Sequence, residues 1–255
     1  MPLFGARPLV PARPQTFMCK TAALALWLAA GLAPALASDD GPKDGWDGEI
    51  ALGASAATGN TNRQALDLDI KASHRAGRVE DLYTLSGEFA REDGNTTASR
   101  VNAGVQSNID INDRFYALGF ADVERDRFSG YRYEAELGVG VGYRVIDRDN
   151  LSLDVELAPG YRHGEIRGIG NENRAYVRGT VRVEYQISDN ATLSNETLIA
   201  GDSDRVRIED TLALTATIIN NFAARLSFNI RHNTNPPAGA EKTDTVSKAQ
   251  LVYGF

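Results

Sequence analysis

The sequence predicts an all-β protein, a transmembrane antiparallel up-and-down β-barrel of about twelve strands. Three observations predict it. Apolar and polar residues alternate with period two in segments that recur roughly every 15 to 20 residues from Trp46 to Phe255, and no long stretch carries a helical period. The final segment sets Ala249, Leu251, Tyr253 and Phe255 on one face and Lys248, Gln250 and Gly254 on the other, ending on an aromatic. The outward aromatics then sort by strand end. Trp46, Tyr83, Tyr116, Tyr143, Tyr185, Phe222, Tyr253 and Phe255 fall at one end, and Phe89, Tyr133 and Tyr161 at the other. A soluble β-sandwich has no reason for that sorting, whereas a membrane has an interface at each end of the strand.

The amino-terminal residues precede the barrel. Arg7, Arg13 and Lys20 are followed by an apolar run from Thr21 to Leu32 and by Ala35-Leu36-Ala37, the order of a secretory signal peptide. The expected division is therefore residues 1–37 as a cleaved leader, with cleavage before Ser38, and 38–255 as one barrel domain. Met18 is an alternative start that would give the leader a more usual length. The apolar run is too short for a membrane-spanning helix. Cys19 precedes it, so the mature chain has no thiol and no disulfide. With 27 basic and 34 acidic residues before the leader's three bases are lost, the chain is poorly suited to nucleic acid, which requires Lys and Arg on phosphates.

Taken in order, the first segment opposes Ile50, Leu52 and Ala54 to Glu49, Gly53 and Ser55, and Thr58 to Asn62 turn the chain. Leu66, Leu68 and Ile70 then alternate with Asp67, Asp69 and Lys71. The third segment sets Tyr83, Leu85 and Phe89 against Glu88, and the fourth sets Val101, Val105 and Ile109 against Arg100, Gln106 and Asn108. A fifth is read with Tyr116, Leu118 and Phe120 outward. In the sixth, Tyr133, Leu137, Val139, Val141 and Tyr143 oppose Glu134, Glu136, Gly138, Gly140, Gly142 and Arg144. The inward glycines imply either a groove or a bend. The seventh sets Leu153, Val155, Leu157 and Tyr161 against Asp154, Glu156 and Arg162, and the eighth Val177, Val181 and Tyr185 against Arg178, Arg182 and Glu184. The ninth, near Thr192 to Ala200, leaves polar side chains outside whichever face is chosen. Leu212, Leu214 and Ile218 mark the tenth, and Phe222, Leu226, Phe228 and Ile230 alternate with Arg225 and Arg231 in the eleventh.

Short turns are expected near Ala76 to Glu80, Asn112 to Arg114, Ile146 to Asn150, Ser188 to Asn190 and Asn220 to Asn221. Longer loops are expected at Arg125 to Arg132, His163 to Asn173 and Asn233 to Asp244. In an outer-membrane barrel the short turns and both termini are periplasmic and the long loops extracellular.

The expected bore lining is rich in both signs of charge. Its acids are Glu49, Asp67, Asp69, Glu88, Glu134, Glu136, Asp154, Glu156, Glu184 and Glu196. Its bases are Lys71, Arg100, Arg144, Arg162, Arg178, Arg182, Arg225, Arg231 and Lys248. Glu134 is expected opposite Arg162 and Arg182 opposite Glu196. Two readings fit this balance, a salt-bridge network filling a small barrel and a conducting channel. Catalysis would have to use His163 or His232, yet by parity no serine sits beside either on the same face and Ser203 lies in a separate loop, so no catalytic residue is assigned. Asp202, Asp204, Glu209 and Asp210 match no calcium loop and read as solvated loop charge. No metal site and no cofactor is expected. The partners expected are outer-membrane lipid, lipopolysaccharide and, through Leu251, Tyr253 and Phe255, the barrel assembly machinery, with the protein a monomer.

Gly45-Trp46-Asp47-Gly48 followed by a strand and Thr58-Gly59-Asn60-Thr61, together with Pro236 to Thr245 followed by Leu251 to Phe255, resemble the salt-induced outer membrane protein family. The resemblance implies a monomeric Gram-negative outer-membrane barrel without assigned catalytic residues and a link to salt or osmotic stress. The functions weighed are a narrow passive pore or envelope-structural barrel, a lipid or acyl hydrolase, and a loop-mediated adhesive role.

Overall fold

A computed structural model describes residues 44–57 and 63–255. The expected leader, residues 1–37, and the turn at 58–62 lie outside the described residues. Twelve strands follow one another as β1 (Gly45–Ala57), β2 (Arg63–Ala76), β3 (Val79–Glu92), β4 (Asn95–Asp110), β5 (Phe115–Asp126), β6 (Tyr131–Arg148), β7 (Leu151–Ile166), β8 (Gly170–Ser188), β9 (Ala191–Gly201), β10 (Val206–Ile219), β11 (Phe222–Asn233) and β12 (Thr243–Gly254). Each pairs antiparallel with its sequence neighbours, and β12 returns to β1 to close the barrel. The fold is the up-and-down transmembrane β-barrel that the alternation predicts, closed by a β1–β12 ladder that runs from Glu49 to Leu52.

The outer wall is the apolar one. Val139 is 68% exposed, Leu226 61%, Leu137 60% and Leu157 57%. Water would penalise a continuous belt of that kind, so the wall is built for lipid. At the end carrying the short turns, aromatic rings meet in pairs: Phe115 with Tyr143, Phe222 with Tyr253, and Trp46 with both His74 and Tyr83. At the other end Tyr133 packs on His163. All five expected short turns are turns, and at 93–94 a two-residue hairpin uses positive φ at both Asp93 and Gly94, which matches strand twist.

Two expected loops shrink to hairpins. Strand pairing runs on past His163, which stands opposite Asn173, and only 167–169 connect β7 to β8. Likewise β5 continues to Asp126 and β6 begins at Tyr131. These segments are polar on both faces because they rise beyond the apolar belt, and strand pairing needs backbone groups more than apolar side chains.

The fifth segment is turned the other way from expectation. Tyr116, Leu118 and Phe120 are buried inside, while Phe115 and Val123 are exposed. Tyr116 therefore leaves the outer aromatic belt and Phe115 takes its place. The reason is on the neighbouring strand. A Cβ at Gly138 would lie 2.5 Å from Phe120 Cε1, and one at Gly142 would overlap the Tyr116 ring. Gly138 and Gly142 make room for rings and Gly140 for the close approach of Leu157 and Ala158, so the three inward glycines of β6 leave no open groove.

Gly138→Val should lower the stability of the refolded barrel by about 1–3 kcal/mol, because the added branches overlap Phe120 and the Pro159 carbonyl. Gly87→Val, which meets open space, should stay within about 0.5 kcal/mol. Urea midpoints of the two variants compare them directly.

Candidate functional site

Inside the barrel the sequence's charges meet in a layered set of ion pairs. Near the turn end, Arg225 of β11 reaches past β12 and forms a two-pronged pair with Glu49 of β1, at 2.8 and 2.6 Å. Lys71 stands directly opposite Glu49 on β2. Arg144 pairs with Asp110 at 2.7 Å, and Asp154 stands between Arg144 and Arg182 in the register. Glu184 lies opposite Ser194, with Ser152 on its other side.

At mid-height a knot of buried groups fills the β4–β9 side. Glu156 accepts hydrogen bonds from Gln106, Tyr116 and Arg182 at 2.9, 2.9 and 2.6 Å. Arg182 also bonds Glu196, its cross-strand neighbour, as the spacing predicts. Arg178 lies on the Phe120 ring, 3.3 Å from its centroid, and pairs with Asp122 at 3.0 Å. A guanidinium stacked on a ring and bonded to a carboxylate is dehydrated on both faces without losing its partners.

Higher still, Arg162 is 2% exposed and faces Glu136 at 2.7 Å and Asp202 at 3.3 Å, over the ring of Tyr176. The residue opposite it is Glu136, not Glu134, because the hairpin turns tightly at 149–150 and the ladder shifts once between Arg144 and Ile146. Glu134 keeps a longer contact with Arg162 at 3.9 Å and takes Arg205 at 2.6 Å. Burial alone would lower the pKa of Arg205, but the Glu134 carboxylate more than offsets that, so its proton is held more tightly than in water.

The decisive layer crosses the bore. Arg231 of β11 bonds Glu124 of β5 at 2.8 Å, and these strands stand six places apart in a ring of twelve, on opposite walls. Arg100 of β4 reaches Glu209 of β10, again six places away, at 3.8 Å, and Arg207 of β10 reaches Glu136 of β6 at 2.9 Å. Glu209 also holds Arg231 at 3.1 Å and Arg207 at 3.3 Å. Side chains thus meet across the full width of the lumen. A cavity of about 360 Å³ opens at the loop end against Tyr131, Glu172, Arg174, Asp202 and Arg205, of which Asp202 pairs with Arg162 and Arg205 with Glu134.

On the opposite arc, Lys248 of β12 reaches Asp67 and Asp69 of β2 at 3.5 and 3.8 Å, and Gln250 donates to Asp69 at 2.6 Å. Glu88 lies between Asp67 and Arg100 in the register. The three final alternate residues follow the seam: Leu251 and Tyr253 are exposed on the outer wall, and the Phe255 amide and carbonyl exchange hydrogen bonds with Gly48 at 2.9 and 3.0 Å.

Several of these residues escaped the sequence reading. Asp122, Glu124 and Asp126 were missed because the fifth segment was faced wrongly; their own period-two spacing is the signal that would have found them. Glu209, read as solvated loop charge, sits in β10 inside the bore. Asp202, read the same way, is buried against Arg162. Asp210 of that group points outward and accepts hydrogen bonds from Asn195 and Thr197 at 3.1 and 2.6 Å, which is why the ninth strand showed no clean apolar face.

Residues 50–255 match the family described as protein of unknown function, DUF481. The chain belongs to the DUF481 family. "Uncharacterized protein YdiY" of Escherichia coli (strain K12) is 25% identical to this DUF481 chain over 216 residues, 84% of each. The COG4313 outer membrane channel from Pseudomonas putida F1 matches with a TM-score of 0.52 at 9% identity, over 85% of this chain and 97% of that one. The NanC porin in rhombohedral crystal form matches with a TM-score of 0.45 at 12% identity, over 82% and 98%. At these identities the likeness is one of fold.

Arg162→Met should destabilise this DUF481 barrel by about 3–5 kcal/mol, since it removes the cation paired with buried Asp202 and one of the two paired with buried Glu136. Arg132→Met, which breaks a pair whose arginine side chain is 65% exposed, should cost about 0–1 kcal/mol. Equilibrium unfolding in detergent distinguishes the two.

Proposed function

We propose that this chain is a narrow, charge-lined channel of a Gram-negative outer membrane, held closed in the structure by ion pairs that span its bore. The observation that carries the reading is the contact between opposite walls, Arg231 to Glu124 and Arg100 to Glu209. An open porin keeps its lumen clear of such contacts, and a ring of one charge sign would favour one ion sign. Here both signs meet and neutralise each other, so water and ions pass only when the layer parts. The apolar outer wall, the two aromatic belts and the leader pattern of residues 1–37 support export to the outer membrane, with the short turns periplasmic. A role in salt or osmotic stress rests on the resemblance of the two end motifs alone.

Planar-bilayer recordings test this reading. The wild-type protein should conduct little, and Arg231→Ala combined with Glu124→Ala should raise single-channel conductance several-fold while the barrel stays folded. If the double variant conducts no better than wild type, the barrel is an envelope-structural element and not a channel.

The hydrolase alternative finds no support in the geometry. His163 is bonded to Tyr133 and Asn173 on the outer wall, and His232 to Thr243, and among the described residues no carboxylate bonds either ring. His163→Ala with His232→Ala should leave the lipid profile of the producing strain unchanged by mass spectrometry.

A further inference from the structure

The barrel is closed unevenly. Adjacent strands elsewhere share registers of ten to sixteen residues, as β5 with β6 and β7 with β8 do, counted pair by pair. Between β1 and β12 the register covers only Glu49 to Leu52 against Leu251 to Gly254, extended by the mutual hydrogen bonds of Gly48 and Phe255. From Gly53 upward β1 has no ladder to β12, although both strands continue toward the loop end. Two facing strand edges in the loop-side half of the wall are therefore unladdered. In hydrocarbon, backbone groups left in that state are costly unless polar matter reaches them.

The inner side of this gap is built to match. The inward residues of β1 here are Ala51, Gly53 and Ser55, so nothing large stands between β12 and β2. Across that low sill, Lys248 pairs with Asp67 and Asp69, and Gln250 donates to Asp69. These side chains hold the upper seam shut without a backbone ladder, and at its foot the Ala249 carbonyl packs so closely that a Cβ at Gly53 would lie 2.9 Å from it. On the outer side, Ala54, Ala249 and Ser247 present little bulk.

We propose that the loop-side half of the β1–β12 seam is a lateral portal between the outer leaflet and the bore, latched by Lys248, Asp67, Asp69 and Gln250, and that it admits a zwitterionic amphiphile. The proposal rests on the outer-membrane reading above. The ligand class follows from the latch. Opening it separates an ammonium from two carboxylates, and a headgroup that carries both an anion and a cation can replace both halves at once: its phosphate takes Lys248 and its ammonium takes Asp67 or Asp69. An anionic headgroup would satisfy Lys248 and leave the carboxylates unpaired. The acyl chain stays in the leaflet, beside Leu52 and Leu251.

The test uses the full chain with Cys19→Ser, reconstituted in lipid bilayers and carrying one fluorophore on Ser55→Cys, Ala54→Cys or Glu196→Cys. Ser55 lies inside the proposed portal, Ala54 on the outer wall and Glu196 on the far inner wall. The quenchers are lysophosphatidylethanolamine and lysophosphatidylglycerol, each with a nitroxide on its acyl chain. The portal requires the Ser55 label to be quenched several-fold more than the Glu196 label by the zwitterionic lipid, and less strongly by the anionic one. Lys248→Gln with Asp67→Asn should abolish the difference between the two lipids. Quenching at Ser55 no greater than at Glu196 overturns the portal, and equal quenching by both lipids overturns the zwitterion preference. If the Ala54 label also escapes quenching, the wall does not face lipid and it is the membrane reading that fails.

Discussion

Charge pairing across the bore is the constraint on which the rest of this barrel depends. A closed antiparallel ring satisfies its backbone, but its inner face must still be filled, and alternation sends every second residue there. The chain fills that space with arginine and carboxylate, many of them deeply buried. Such groups persist only when each has an opposite charge and further hydrogen bonds within reach. Arg162 between Glu136 and Asp202, and Glu124 between Arg100 and Arg231, meet that condition. Members share partners, as Glu136 does with Arg162 and Arg207 and Arg231 with Glu124 and Glu209, so the interior behaves as one network.

Aromatic rings make the network compact. Phe120, Tyr116, Tyr176 and Tyr131 lie inside, each with an arginine over its face. Three of the four also carry a hydroxyl bonded to a glutamate, Tyr116 to Glu156, Tyr176 to Glu136 and Tyr131 to Glu172. The rings thus supply bulk and orient charge together. Gly138 and Gly142 of β6 are the backbone's accommodation to Phe120 and Tyr116. This half of the wall is nearly solid, whereas the β1–β2–β12 arc, lined by Ala51, Gly53 and Ser55, is thinly filled and loosely laddered. The asymmetry places the rigid and the yielding parts of the barrel on opposite arcs.

Much of this was legible in the residues. Twelve segments, their turns, the aromatic belts and the polarity of the inner face all follow from period-two alternation, because strand geometry acts on near neighbours. The family reading from the two end motifs agrees with a match over residues 50–255. Errors arose where local pattern is ambiguous. Tyr116-Ala117-Leu118-Gly119-Phe120 is apolar on both faces, so alternation could not say which side was lipid. Residues 202–210 are dense in charge with only Val206 and Ile208 to mark an apolar face, and a strand that rises above the membrane looks like a loop.

Alternation along the chain therefore determines that a barrel forms and which residues alternate, since it depends only on spacing. Which charges meet is a different kind of fact. Arg231 and Glu124 are 107 positions apart, and Arg225 and Glu49 are 176 apart. Their contact depends on strand number, register shifts and the width of the lumen, all of which are properties of the closed ring. Closure of the bore and the shortness of the β1–β12 ladder were likewise decided only in three dimensions, because both arise where strands distant in sequence are brought face to face.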